Sequence, residues 1–339
     1  MSDRSSDHLH RGLAGEGVST ERTMPPGTVR LGVDLGGTWL RAAAVSAEGQ
    51  ILSHDRRPTP DRSAEDVVAA IVDGVTAVQA RIAALPEDSR PTLAVDAPLV
   101  IAAPGPLDLP GGRILATPNL PHLRGFPLAA AVAAALGRIV HLQNDATMAA
   151  LGEATFGAGR TFDVVLFLTI STGIGGGLVI DGRPFTGATG QACELGHLIV
   201  DGRRDAPRCG AGHGGCLEAH ASGSAIGRAA AAAGMVGGAA AVAAAARAGD
   251  PVATAVLRDA ARWLGLGIAS ATNAFDPDVI VLGGGVMGAW DVLRDSVLAG
   301  VEGAAMSDGW RRGGVVVGML GDEAGVVGAA VWAAAAGRR

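Results

Sequence analysis

The chain has no lysine and no tyrosine, so arginine supplies all of its side-chain basicity, and only three cysteines occur among its 339 residues. The missing lysine excludes two large enzyme classes, because a Walker-type phosphate loop and a Schiff base to pyridoxal phosphate both need a side-chain amine. Any phosphate site must therefore use backbone amides and arginine. A formal charge of −6 provides no basic footprint, and no nucleic-acid partner is expected. No uncharged apolar run is long enough to span a bilayer, so no membrane partner is expected either. Residues 1–28 are polar, lack the apolar stretch of a secretory signal, and read as a disordered leader, with Met24 an alternative start ahead of the first strand. The odd set Cys193, Cys209 and Cys216, closely spaced, argues against a disulfide framework and for a reducing cytoplasm.

The length exceeds one compact core and fits two α/β domains. Residues 29–45 read as a strand, a tight Asp34-Leu35-Gly36-Gly37-Thr38 turn and a second strand. A dinucleotide fold would send its glycine turn into a helix, so this is a different architecture. The pattern returns: 164–170 is an apolar strand, 171–177 a glycine turn, and 178–180 leads on to Asp181-Gly182, which indicates an internal duplication. Between the two units, Ser63 caps a helix whose Val67, Ile71, Val75, Val78 and Ile82 form a core stripe. Further helices are expected from Asn144-Asp145 to about Phe156 and from Pro251 to Asn273, the latter entering a strand at 279–282. The alanine-rich segment 229–248, broken by Gly234, Gly237 and Gly238, reads as short helices.

Four places carry chemistry. In the first turn, Gly36 and Gly37 let backbone amides approach an anion, Thr38 adds a hydroxyl, and Asp34 can hold a magnesium shell through water; an ordinary hairpin turn is the alternative. The second turn, with Thr172, Gly173 and Gly175, strengthens the phosphate reading, since two facing hairpins would grip a nucleoside triphosphate from both sides. Gly283, Gly284 and Gly285 have room for a flat base and ribose, or make a simple turn. Asn144 and Asp145 stand where a strand at 139–142 gives way to a helix. There the helix dipole keeps a carboxylate ionised as a modest base, unless the residue is only an N-cap. Finally, Glu194-Leu195-Gly196-His197 and the segment from Cys209 to Glu218 combine carboxylates suited to polyol hydroxyls with thiols and imidazoles suited to zinc.

In order, Asp34–Thr38, Pro104-Gly105-Pro106, Pro118-Asn119-Leu120, Asn144-Asp145, the turn from Thr169 to Gly177, Glu194-Leu195-Gly196-His197 and Cys209–Glu218 make the chain after residue 29 resemble the ROK family of sugar kinases and sugar-responsive repressors. That family lies in the actin-like, hexokinase and Hsp70 superfamily. The resemblance implies two actin-like (ribonuclease H-like) ATPase domains flanking a cleft: a small domain of residues 29–143 completed by 322–339, and a large domain of 144–321 carrying a zinc-type loop. It implies ATP-dependent phosphorylation of a hexose at its terminal hydroxyl, with Asp145 as base, glucose as leading substrate and magnesium as cofactor. Mannose, fructose, N-acetylmannosamine and N-acetylglucosamine are the alternative sugars, and polyphosphate is a secondary donor. Gly105, Asn119, Asn144, Glu194, His197 and Glu218 would hold the sugar, and a homodimer or higher homo-oligomer is expected.

The resemblance also implies zinc on one histidine and three cysteines, yet Ala211 stands where the middle cysteine belongs. This leaves His197, Cys209 and Cys216, with His213 or water as a fourth ligand, or weak or absent zinc. Cys193 reads as a packing residue, and His141 and His220 as structural. The rival class is a sugar-sensing regulator, which in this family carries a helix-turn-helix domain ahead of the first phosphate motif; residues 1–28 read as too short and too polar for one. A third reading, a non-catalytic sugar-binding protein, rests on Ala211.

Overall fold

The computed structural model describes residues 27–117 and 120–336. Residues 1–26 of the expected leader, and Asn119 of the expected sugar site, lie outside the described residues.

The first sheet begins with an antiparallel meander of β1 (Thr28–Leu35), β2 (Trp39–Ser46) and β3 (Ile51–Pro58). Helix α1 (Ala64–Ala83) follows, its N-terminus capped by Ser63, whose hydroxyl accepts the Asp66 N–H at 3.1 Å. Its predicted stripe from Val67 to Ile82 is buried. Two strands parallel to β1 come next, the short β4 (Thr92–Leu93) and β5 (Leu99–Ala103), the latter buried at every residue as a central parallel strand must be. A separate ribbon of β6 (Leu107–Asp108) and β7 (Arg113–Ile114) and helix α2 (Leu128–Leu136) lead to β8 (Val140–Asn144), parallel to β5. The strand order is β3-β2-β1-β5-β8.

Helix α3 (Asp145–Phe156) leaves β8 directly and delivers the chain to a second antiparallel meander, β9 (Val164–Ile170), β10 (Ile174–Ile180) and β11 (Arg183–Pro184). A helical layer of α4 (Leu217–Ala221), α5 (Gly223–Ala232), α6 (Ala239–Arg247) and α7 (Pro251–Phe275) then precedes β12 (Val279–Gly283), helix α8 (Trp290–Ala304) and β13 (Val315–Val317). Both β12 and β13 extend the sheet in parallel fashion, in the order β11-β10-β9-β12-β13. Each sheet is thus a three-stranded antiparallel meander continued by two parallel strands beyond its first member, and the duplication inferred from the glycine turns extends to the topology. The core of the second unit packs Leu166, Leu168 and Ile170 against Leu257, Leu264 and Ile268 of α7.

One boundary differs from the sequence reading. The second turn is confined to Ser171–Gly173, and β10 starts at Ile174, so Gly175, Gly176 and Gly177 are strand residues. The reason is packing: a Cβ on Gly177 would lie 2.6 Å from the Ala150 Cβ and 2.9 Å from the Ala146 carbonyl, so the bare strand lets α3 rest on the sheet.

The last helix, α9 (Ala324–Ala336), returns to the first sheet, with Val326, Val327 and Ala330 against Ala43 and Val45, and Ala329 and Ala333 against Val100 and Ala102. It crosses α3 backbone to backbone, since a Cβ on Gly328 would fall 1.7 Å from the Met148 carbonyl. Among the described residues, no helix is long and apolar enough to cross a membrane.

Candidate active site

Asn144 and Asp145 occupy the junction of β8 and α3, and the two residues divide the roles that sequence left open. Asn144 is the N-cap, its Oδ1 accepting the Thr147 N–H at 2.9 Å, which leaves Asp145 as the first helical residue with its Oδ1 on the Ala146 N–H at 2.7 Å. The amides at the helix start favour the ionised form of Asp145, as expected, but burial outweighs them and raises its pKa above the usual carboxylate range. The result is a stronger base than a surface aspartate.

Around it stand the predicted polyol ligands. Gly105 lies beside Asn144 and Glu194, at 3.5 Å and 3.8 Å from Asn144 Nδ2 and Glu194 Oε1 to a Cβ placed on it. Partial burial raises Glu194, His197 lowers it, and Asp145 and Glu218 raise it further, so these four side chains share one electrostatic neighbourhood. Glu218 Oε2 accepts the Ile174 N–H at 3.0 Å, tying helix α4 to the second glycine turn. A Cβ on Gly173 would fall 2.4 Å from that oxygen, so glycine at this turn is required by the carboxylate.

Asp34 ends β1 facing the same space. Burial and then Asp145 push its pKa up to about 7, while Arg41 across the hairpin, at 3.2 Å, holds it down. Arg41 continues to Asp322 at 2.9 Å. The first turn is braced by the Gly36 N–H on the Trp39 carbonyl and by Thr59, whose hydroxyl donates to the Gly36 carbonyl at 2.7 Å; Gly37 and Thr38 are exposed. Thr172 is likewise exposed at the tip of the second turn. Gly283 and Gly284 line a cavity of about 220 Å³ together with Met287, Gly288, Gly318 and Gly321, whereas Gly285 lies outside its lining and opens a short 3₁₀ turn.

His197, Cys209 and Cys216 come together, one ligand atom of each within 4.8 Å of the others. Cys209 Sγ is 3.9 Å from His197 Nδ1, and His213 Nδ1 lies 3.3 Å from that same nitrogen. Two thiols and one imidazole fit zinc in donor type, and His213, 3.3 Å from His197 though not in that mutually close trio, is a candidate for the fourth position. Cys193 is not in this group; it packs against the second core, and burial pushes its thiol up to about 11. His220 stacks on Trp263 with ring centroids 4.2 Å apart and faces Asp201 at 3.3 Å, and His141 meets Trp332 edge-on. Both are structural, as expected. Sequence reasoning missed the Arg41 bridge and buried Glu153, since neither adjoins a glycine turn or a thiol in sequence.

With this geometry in place, the comparisons with known proteins decide the lineage. The ROK family model matches residues 30–336. The chain belongs to the ROK family. The glucokinase of Thermotoga maritima is 33% identical over 317 residues, covering 88% of this chain and 95% of that protein. The crystal structure of a ROK hexokinase from Thermus thermophilus superposes with a TM-score of 0.74 at 37% identity, covering 89% of this chain and 97% of that one. A ROK glucokinase from Streptomyces griseus, in complex with glucose and AMPPNP, superposes with a TM-score of 0.72 at 34% identity, covering 89% of this chain and 98% of that one. The fold is accordingly the actin-like α/β fold of ROK sugar kinases.

Proposed function

We propose that this chain is an ATP-dependent hexokinase that phosphorylates glucose at its terminal hydroxyl. The observation that carries the reading is the gathering of Asp145, Glu194, His197 and Glu218 beside two glycine hairpins, in a chain similar to a glucokinase solved in complex with glucose and AMPPNP. In this reading Asn119, Asn144, Glu194, His197, Glu218 and the Gly105 loop hold the sugar hydroxyls. A site made of such bonds rejects sugars whose hydroxyls leave a partner unpaired. Asp145 accepts the proton of the terminal hydroxyl as that oxygen attacks the γ-phosphate, and burial, by raising its pKa, makes it a stronger base than a surface aspartate. The amides of Gly37 and Gly173, with the hydroxyls of Thr38 and Thr172, cradle the phosphates, Gly36 shaping the turn through its own bond to Trp39, and the cavity at Gly283 and Gly284, with Gly285 following them, receives the base and ribose. Positioning and charge neutralisation supply most of the acceleration in such a reaction.

Asp34 is the residue suited to magnesium, because a cation there relieves its repulsion with Asp145. Magnesium held there would neutralise charge on the phosphate oxygens. His197, Cys209 and Cys216, with His213 as candidate fourth ligand in place of the cysteine absent at 211, would hold zinc, which would fix the His197 ring and hence its sugar-facing nitrogen. Residues 29–143 with 322–339 form one actin-like domain and 144–321 the other, a division supported by the return of α9 to the first sheet. The same reading includes a homodimer working in the cytoplasm.

A coupled ADP-release assay over a panel of hexoses tests the proposal. Glucose is expected to give the highest kcat/KM, and saturable sugar binding without turnover of any hexose would sink it.

A further inference from the structure

Glu153 has no part in the chemistry described so far. It stands on α3 eight residues beyond Asp145, about 12 Å along the helix axis at 1.5 Å per residue, and is 1% exposed. Its neutralisation comes from three backbone amides: Ala158 N–H donates to Oε2 at 2.9 Å, Met319 N–H to Oε2 at 3.0 Å, and Leu320 N–H to Oε1 at 2.8 Å. A carboxylate close to a helix C-terminus opposes the macrodipole, and burying one is costly without such donors. The surroundings are cut to fit it. A Cβ on Gly318 would lie 2.6 Å from Oε1, and one on Gly157 would lie 1.9 Å from Oε2.

The same carboxylate is part of the lining of the cavity that Gly283, Gly284, Gly318 and Gly321 enclose. The segment after β13 that forms one cavity wall is therefore latched to the helix whose first residue is Asp145. We infer that Glu153 is a positioning residue: through the amides of Met319 and Leu320 it locks the nucleotide-side wall to α3, so that a nucleoside triphosphate in the cavity and the base at the helix start are aligned as one unit. This inference rests on the kinase reading above.

Replacing Glu153 by Gln preserves size but turns one acceptor into an N–H₂ donor, setting donor against donor at Met319 or Leu320. For Glu153→Gln, the KM for ATP is expected to rise about tenfold and kcat to fall about tenfold, with the KM for glucose within about twofold of wild type. A purely structural role would lower the folded fraction, reducing maximal rate while leaving both KM values unchanged; that pattern, or unaltered kinetics, overturns the inference. Should the variant fail to fold, hydrogen exchange on the wild-type chain with and without AMPPNP decides. Amides at 318–320 and in the first turn of α3 at 145–148 are expected to slow together, and protection of 318–320 with α3 unaffected refutes the coupling. Wild-type protein that turns over no hexose removes the kinase reading alone, and the exchange experiment still decides Glu153.

Discussion

The two meanders share topology and differ in what their strands carry. In the first, the hairpin end is charged: Asp34 on β1 pairs across to Arg41 on β2, and Arg41 runs on to Asp322. In the second, the corresponding strand end carries Thr169 opposite Gly175, and Gly176 and Gly177 follow with no side chain at all. The first hairpin carries ionisable groups at its end, whereas the second has none there; each sheet admits a helix against a bare glycine, Gly32 under α9 and Gly177 under α3. Helix α3 begins with Asp145. Duplication therefore supplied two similar turns and two helix-bearing sheets, and divergence placed an ionisable pair on one hairpin only.

The comparison breaks most sharply at Asp145. If it is the base, Asp145→Asn is expected to cut kcat by about three to four orders of magnitude while leaving glucose affinity nearly unchanged. Calorimetric binding beside the turnover assay checks this, and a kcat close to wild type would place the base elsewhere.

Next in size is the pH dependence of the charged hairpin. An aspartate whose pKa is about 7 in the fold and 3.8 when unfolded binds its proton more tightly in the native state. Its contribution is thus fully present below pH 3.8 and is lost as pH rises toward and through 7, by up to about 4 kcal/mol. Urea titrations of the nucleotide-free protein across that window should show the decline, and Asp34→Asn should flatten it. A decline of equal size in the variant would assign the effect to other groups.

The second hairpin answers to volume instead. Gly177→Val is expected to cost about 2 kcal/mol by pressing on Ala146 and Ala150, and to lower kcat as α3 shifts. Gly210→Ala, where an added Cβ meets nothing within 4 Å, is the neutral control. Equal unfolding midpoints for the two variants would contradict the packing account.

The smallest effect is expected at the thiol loop. His213→Ala should weaken zinc binding about tenfold and remove one nitrogen from the metal's coordination shell, read by metal analysis and X-ray absorption. Full zinc occupancy with an unchanged shell would exclude His213 as a ligand.

Much of this was legible in the chain because local patterns have local causes. Strand, turn and strand around Gly36 and Gly37, the Ser63-capped helix, and the short alanine helices follow from apolar period, capping chemistry and glycine punctuation. The motifs also named candidate site residues, of which the fold gathers Asp34, His197 and Glu218 around Asp145 and Glu194. The extent of the second turn was not legible. A glycine run looks the same whether it bends or lies under a helix, and only the position of Ala146 and Ala150 above it separates the two.

By itself, then, the sequence determined the chemistry available: phosphate binding without lysine, carboxylates for hydroxyls, and two thiols with imidazoles. Tertiary structure decided what those groups became. It made Asn144 the cap and Asp145 the base candidate, raised both Asp34 and Asp145 by burying them beside each other, set His213 against His197 where a cysteine is missing, and satisfied Glu153 with amides from residues 319 and 320. Each of these depends on distances between residues far apart in the chain or on exclusion of water, and neither quantity exists until the chain has folded.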